Sequence, residues 1–376
     1  MNVVPTWRLL VGDVRDQLAS LPDASMQCVV TSPPYWGLRD YGMPAQIGLE
    51  PTPDAFVAAM VAVFSDAWRV LADDGVLWLN LGDSYSRMQP DNVPQTKNPV
   101  VQPPSMRDRI VDLPPKNLVG IPWRVAFALQ ADGWYLRADV IWSKPNPMPE
   151  SIKDRPTKAH EYLFLLSKSE RYFYDADAIA EPASLAMQQQ IEQGYDGLGI
   201  KDYEAAGVQN PSIVKQRIIA NARRKNEQTG DRRKVGFNDR WDAKEAEYAG
   251  KHAQQDPQAA GRRILKNVAA ARAAGGDHDS PFGVTRNARS VWTIPTQPYP
   301  DAHFATFPEA LPERCIKAGS RLGDTVLDPF CGSGTTGQVA IQLGRSFIGI
   351  ELNPQYAELA RKRIGNAAPL FAEAVS

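Results

Sequence analysis

Thr31-Ser32-Pro33-Pro34-Tyr35 follows the apolar run Cys28-Val29-Val30. Two consecutive prolines fix the backbone and supply carbonyls with no competing N–H at the same positions. A turn stiffened in this way aims a Ser hydroxyl and a proline carbonyl at one NH₂ group, whose two protons both need acceptors. The adjacent Tyr offers a face on which a planar ring can stack. Far along the chain, Asp328-Pro329-Phe330-Cys331-Gly332-Ser333-Gly334-Thr335-Thr336 follows Thr325-Val326-Leu327, and Glu351 closes the next apolar run. Glycines let a cofactor lie against backbone where a Cβ would collide, and an acid after the second strand can hold both ribose hydroxyls. This is the layout of an adenosine site. Gly332-Ser333-Gly334 is not GxGxxG and no Walker lysine follows, so neither a pyrophosphate nor a triphosphate is well served. A cofactor without phosphate and with a cationic centre fits better, and S-adenosylmethionine is one. An ordinary Pro-Pro turn and a structural Gly turn are the plain alternatives for each stretch taken alone.

These residues need elements to hold them, and the pattern around them is α/β. Trp7–Val11 reads as a strand ending at Gly12-Asp13, followed by a helix to Leu21. Between Asp54 and Leu71, Phe56, Met60, Val63, Ala67 and Val70 recur at helical spacing. Asp73-Asp74-Gly75 is expected to stop that helix before a strand over Val76–Leu81. A helix over Pro122–Gln130 and a strand over Leu136–Trp142 follow, then a hairpin of Tyr162–Leu166 with Arg171–Tyr174. The last ninety residues give a helix over Pro312–Ala318, strands at Thr325–Leu327 and Ser346–Ile350, and a final helix marked by Tyr356, Leu359, Ala360 and Ile364. Alternation of this kind predicts a mostly parallel sheet with right-handed crossovers.

Two segments break the alternation. Residues 84–115 are rich in Pro, Gln, Asn and Ser, a loop long enough to be functional. Residues 180–285 are rich in Ala, Gln, Lys and Arg, and read as a helical or disordered basic insertion without a hydrophobic core of its own. The formal net charge of the whole chain is −1, which announces no polyanionic partner. Lys201–Arg289, however, holds about 18 basic against about 11 acidic side chains, a local field suited to phosphates. Arg223, Arg224, Lys225, Arg232, Arg233 and Lys234 form its densest clusters, although a solvated helical face would look similar. The division expected is 1–179, the half bearing Thr31–Tyr35; 180–285, the basic insertion; and 286–376, the half bearing the glycine turn. No apolar run approaches a membrane span and no signal-peptide core is present, so the expectation is a cytoplasmic protein. Cys28, Cys315 and Cys331 show no metal-ligand spacing, so no metal is expected.

Taken together, the motifs resemble those of amino-directed, S-adenosylmethionine-dependent DNA methyltransferases. Asp328–Thr336 with Gly349-Ile350-Glu351 resembles their cofactor motifs, and Thr31–Tyr35 their catalytic (Ser/Asp/Asn)-Pro-Pro-(Tyr/Phe) motif. His303-Phe304-Ala305-Thr306-Phe307-Pro308 resembles the segment just upstream of the cofactor loop. The order, catalytic motif before cofactor motif, matches the permuted β arrangement, and the likeness covers roughly 7–175 and 285–365. It implies a permuted Rossmann-like methyltransferase fold with a mostly parallel central sheet. Phe304, Ala305, Phe307, Asp328, Pro329, Phe330, Gly332, Gly334 and Thr335 would then lie at the cofactor. Glu351 would bind its ribose and Asp13 would lie near its adenine, while Ser32, Pro33, Pro34 and Tyr35 would form the catalytic pocket. The substrate implied is double-stranded DNA, with the target base flipped and stacked on Tyr35. Trp142 is a second candidate stacking face.

Within that family Ser-Pro-Pro-Tyr goes mostly with cytosine N4 and Asp-Pro-Pro-Tyr mostly with adenine N6, so Ser32 favours cytosine N4. Methylation at cytosine C5 would require a Pro-Cys nucleophile, and none of the three cysteines follows a proline. A nicotinamide or flavin oxidoreductase leaves Thr31–Tyr35 and His303–Pro308 unexplained. A non-catalytic DNA-binding regulator would be expected to lose Ser32, Tyr35 or the glycine turn. An RNA substrate would use the same chemistry. The recognition sequence, a homodimeric state and a restriction-nuclease partner are left open by the sequence.

Overall fold

The computed structural model describes residues 4–38, 40–44, 46–86, 113–182, 285–297, 307–367 and 373–374. The chain divides into two compact units, Met1–Ile179 with Asn287–Ser376, and Ala180–Arg286. In the first unit, nine strands form one sheet: β1 (Thr6–Val11), β2 (Met26–Thr31), β3 (Leu71–Leu81), β4 (Tyr135–Ser143), β5 (His160–Ser167), β8 (Val291–Thr293), β9 (Thr325–Asp328), β10 (Ser346–Glu351) and β11 (Glu373–Ala374). In the second unit, the described residues form only the two-residue ladder of β6 (Glu181–Pro182) with β7 (Thr285–Arg286). The sheet order is β11-β1-β10-β9-β2-β3-β5-β4-β8. All its neighbours pair parallel except β5, which runs antiparallel between β3 and β4.

Alternate side chains of the central strands enter two separate cores, as a sheet covered on both faces requires. Val29, Leu77, Leu79, Phe164 and Leu327 face one side with α1 (Val14–Ala19), α2 (Pro53–Val70) and α3 (Ile121–Ala131). Cys28, Val30, Val76, Trp78, Leu165 and Val326 face the other with α4 (Ala310–Gly319), α5 (Thr335–Gln342) and α6 (Pro354–Ala367). Each such fully buried Val, Leu or Phe contributes about 1.5–3 kcal/mol of hydrophobic stabilisation. Helix α2 begins where Thr52 Oγ1 accepts from Ala55 N at 3.1 Å and Pro53 supplies a preset first turn. Its buried residues Phe56, Met60, Val63, Phe64, Ala67 and Val70 form the predicted stripe. Among the described residues, no helix is long and apolar enough to cross a membrane.

Two expectations need correction. Asp73-Asp74-Gly75 does not precede the third strand but lies inside it: β3 opens at Leu71, and its register against β2 slips between Met26↔Leu71 and Cys28↔Val76. The extra residues bulge outward, and Gly75 is required there because a Cβ would stand 2.7 Å from Leu71 Cδ1. Nor does Arg171–Tyr174 form a hairpin with β5. The antiparallel partner is β4, whereas Phe173 donates its N–H to the Asp74 carbonyl at 2.8 Å, which fastens that segment to the bulge.

Candidate active site

Strands β9 and β2 are parallel neighbours, yet the chain leaves β9 for α5 on one face and β2 leads to α2 on the other. Such a divergence opens a crevice at the carboxyl ends of the strands, the usual position of a ligand in an open α/β sheet. A cavity of about 960 Å³ occupies this edge. Because β5 is reversed, its first residues, His160 and Glu161, reach the same edge as the ends of β3 and β4. Three elements are pinned at the crevice by one buried carboxylate. Thr31 Oγ1 and Thr336 Oγ1 each donate to Asp328 at 2.6 Å, and Phe330 N donates to it at 3.1 Å. Burial pushes the Asp328 carboxyl up to about 6 against those hydrogen bonds.

One half of the cavity is built around Ser32 and Tyr35. The Ser32 hydroxyl donates to Asn80 Oδ1 at 3.2 Å and lies 3.4 Å from the Tyr35 hydroxyl. The Tyr35 hydroxyl lies 2.6 Å from Glu161 Oε2 and 3.0 Å from Asn80 Oδ1. Lys144 pairs with the other Glu161 oxygen and sits 4.2 Å above the Trp142 ring. Burial, and then the Glu161 charge, hold the Tyr35 phenol well above its ordinary range, so it stays protonated and donates to the carboxylate. Asn80 Nδ2 donates to the Tyr162 carbonyl at 3.1 Å. A carbonyl can only accept, so this bond fixes the amide with Oδ1 toward Ser32. Both hydroxyl protons are therefore engaged by protein acceptors, and Ser32 presents lone pairs to the cavity. Gly82 makes room for the Tyr35 ring, since a Cβ there would stand 2.4 Å from Tyr35 Cε2.

The other half is lined by Gly12, Asp13, Phe307, Pro329, Phe330, Gly332, Ser333, Thr335 and Glu351, among others. Gly332, at φ 53°, has nothing within 4 Å of where a Cβ would be, so its backbone is open to a ligand. Gly332 N and Asn353 N each donate to Glu351 at 2.8 Å, one to each oxygen. A carboxylate offers about four acceptor positions, so two remain for a ribose diol. Burial raises the Glu351 carboxyl above its ordinary value. Asp13 caps α1 through Arg15 N at 2.9 Å and pairs with the Arg15 guanidinium at 2.5 Å, which lowers its carboxyl. These groups fit S-adenosylmethionine: an acid for the ribose, apolar walls for the adenine and, among the described residues of this half, no cluster of cations that a phosphate would need.

The structure thus brings together Ser32, Pro33, Pro34, Tyr35, Asp13, Phe307, Pro329, Phe330, Gly332, Thr335 and Glu351 around one cavity. Two residues expected at the cofactor stand elsewhere. The Asp328 side chain is 1% exposed and consumed by the two threonines, and Gly334, at φ 83°, opens α5 while packed 3.0 Å from Ala360. Both frame the cofactor loop from behind. Trp142 is a core residue at the cavity wall: its indole donates to the Ile294 carbonyl at 2.8 Å and Lys144 covers the ring. Cys331 packs buried against Gly349. Phe304, Ala305, Arg223, Arg224, Lys225, Arg232, Arg233 and Lys234 lie outside the described residues. Asn80, Glu161, Lys144 and Lys158 were not anticipated. An Asn within the apolar run Leu77-Trp78-Leu79-Asn80-Leu81 was a signal for the first, because a buried amide needs partners.

A crevice at the switch point of a mostly parallel sheet, with an acid-bearing cofactor half beside a hydroxyl-lined substrate half, defines a Rossmann-like S-adenosylmethionine-dependent methyltransferase. The model of the DNA methylase family N6_N4_Mtase matches residues 26–362, and the chain belongs to that family of S-adenosylmethionine-using DNA methyltransferases. It is 41% identical to the Type II methyltransferase M.XycI of Xanthomonas campestris pv. cyanopsidis over 95% of this chain and 87% of that protein. It is 39% identical to the Type II methyltransferase M.SmaI of Serratia marcescens over 95% of this chain and 90% of that protein. Among solved structures, the cytosine-N4-specific PvuII DNA methyltransferase matches with a TM-score of 0.54 at 17% identity, covering 96% of this chain and 87% of that one. A DNA modification methylase of Thermus thermophilus, complexed with S-adenosyl-L-methionine, matches with a TM-score of 0.52 at 22% identity over 99% and 98%.

Proposed function

We propose that this methyltransferase transfers a methyl group to N4 of a cytosine flipped out of double-stranded DNA. The observation that carries the reading is the polarity of Ser32. Asn80, locked by the Tyr162 carbonyl, takes the Ser32 proton, so the hydroxyl oxygen accepts from an amino group entering the cavity. The Pro33 carbonyl is the candidate acceptor for the second amino proton. Two such bonds localise the amine lone pair, which is otherwise delocalised into the ring, and orient it for in-line attack. S-adenosylmethionine supplies a methyl group on a cationic sulfur, an electrophile needing no further activation. Tyr35, fixed through its hydroxyl, offers its ring as a stacking face for the base. No enzyme nucleophile is required; among the cysteines, burial raises the thiols of Cys28, Cys315 and Cys331 alike, as suits packing roles.

The choice of cytosine N4 over adenine N6 rests on Ser at the first position of the Ser32–Tyr35 motif. The relatives named Type II methyltransferases favour a site-specific enzyme, and the basic segment 180–285 is read as the part that meets DNA. The test is incubation with S-adenosylmethionine and unmethylated genomic DNA, followed by nucleoside digestion and mass spectrometry. N4-methylcytosine supports the reading. N6-methyladenine keeps the mechanism and overturns the base, and the absence of any methylated base overturns the assignment of DNA as substrate.

A further inference from the structure

Among the described residues, the enclosed side-chain polar atoms without a hydrogen-bond partner are three indole N–H groups, the Ser84 hydroxyl and the ammonium of Lys158. Only the last is charged. An ammonium withdrawn from water without an acceptor is costly, so a native position of this kind calls for a partner that arrives later. Lys158 lines the cavity on the side of Ser32, Tyr35, Asn80 and Glu161. The carboxylates it faces, Asp83 and Glu161, are already in use. Asp83 Oδ1 accepts from Ser84 N, Gly120 N and Ile121 N at 2.9–3.0 Å, holding the start of α3. Glu161 accepts from Tyr35 with one oxygen and pairs with Lys144 through the other. The backbone that carries Lys158 is anchored as well: its N–H donates to Glu150 Oε2 at 3.3 Å, and Arg155 donates to the same oxygen at 2.7 Å. Desolvation lowers the Lys158 ammonium from its ordinary value, as an unsatisfied cation should be.

We propose that Lys158 is a specificity-determining residue that donates a hydrogen bond to the O2 carbonyl of the flipped cytosine. This rests on the reading of the cavity as the pocket of an amino-bearing base. The Watson–Crick edge of cytosine runs amino donor, N3 acceptor, O2 acceptor, whereas that of adenine runs amino donor, N1 acceptor, C2–H. Flipped bases are read along this edge. The Ser32 side of the pocket presents acceptors to the amino group, and Lys158 presents a donor. With the amino group held at Ser32, a donor further along the edge meets an acceptor in cytosine and a carbon-bound hydrogen in adenine. Lys158 therefore selects the base by hydrogen bonding, the kind of contact that discriminates strongly because its loss leaves a buried polar group unpaired.

The experiment uses the full-length enzyme and a duplex carrying its methylation site, mapped beforehand on DNA it has methylated. The target cytosine is compared with an analogue that keeps the amino group and ring nitrogen but lacks the 2-carbonyl oxygen. The wild type is expected to lose on the order of 100-fold in kcat/KM on the analogue. Lys158→Met is expected to lose a similar factor on cytosine and to treat cytosine and analogue alike, with S-adenosylmethionine affinity unchanged. Wild-type indifference to the analogue overturns the proposal, even if Lys158→Met fails to fold. So do losses that multiply, or a Lys158→Met defect confined to salt-dependent DNA affinity, which would mark a phosphate contact. Product analysis of the wild type separates the two levels: N6-methyladenine as product means that the cytosine reading has failed first.

Discussion

Thr31 donates its hydroxyl to Asp328 at 2.6 Å, joining the strand that ends in Ser32 to the strand that opens the glycine turn. The two residues are 297 positions apart, and both are buried. The substrate half and the cofactor half of the cavity are thereby held in one frame. Asp328 is raised to about 6 in the folded protein against 3.8 as its ordinary value. The native state consequently binds the more protons between about pH 4 and pH 6, and stability due to this group falls as pH rises through that window. Thermal unfolding of Asp328→Asn across the same window is expected to lack that component of the slope. A variant with the wild-type slope would mean that Asp328 titrates normally.

Ser32→Ala should lower kcat by on the order of 100-fold or more, the effect of removing one preorganised hydrogen-bonding group at the reacting centre. Asn80→Ala should reproduce much of that loss although Asn80 need not touch the substrate, because the Ser32 proton is then free to point into the cavity. Both should leave S-adenosylmethionine affinity unchanged. Single-turnover methyl transfer with calorimetric cofactor binding measures both quantities, and full activity in Asn80→Ala would disconnect the amide from Ser32.

Glu351→Gln should act in the opposite half. Replacing one carboxylate oxygen by NH₂ sets a donor against either Gly332 N–H, Asn353 N–H or a ribose hydroxyl. Cofactor affinity is expected to fall by roughly 10–100-fold, with DNA binding unaltered. Isothermal titration with S-adenosylmethionine checks it, and an unchanged Kd would remove Glu351 from the ribose site.

Gly82→Ala places a methyl group 2.4 Å from Tyr35 Cε2 and 2.8 Å from Cδ2. The ring must shift, and its hydroxyl must leave Asn80 and Glu161. We expect a drop in kcat of at least about 10-fold, since small misplacements of positioning groups are costly. Adding Tyr35→Phe to this variant should then cost little more, and a full additional loss would show that the ring had kept its place.

Neutralising Arg223, Arg224 and Lys225 together should weaken DNA binding and reduce the slope of log affinity against log salt by up to about 3. The base methylated should not change, because phosphate contacts position a protein without reading sequence. Binding isotherms at several salt concentrations supply the test; an unaltered slope would put the DNA on another surface.

The sequence by itself determined the alternating elements, the glycine turn with Glu351 after the next strand, and the Ser-Pro-Pro-Tyr turn, because each is written in contiguous residues of fixed backbone demand. The helical spacing of Phe56, Met60, Val63, Ala67 and Val70 likewise needs only local periodicity to be read. What tertiary structure decided is which distant residues meet. Asn80, Glu161, Lys144 and Lys158 come from the ends of β3, β4 and β5, and only the reversal of β5 carries Glu161 to the Tyr35 hydroxyl. Asp328 was expected at the cofactor as part of its motif, yet its oxygens are taken by Thr31 and Thr336, partners contributed by another strand and by the following helix. Motif spacing specifies backbone geometry along one segment. The hydrogen-bond partners of a buried side chain depend on strand order and direction, which no single segment contains.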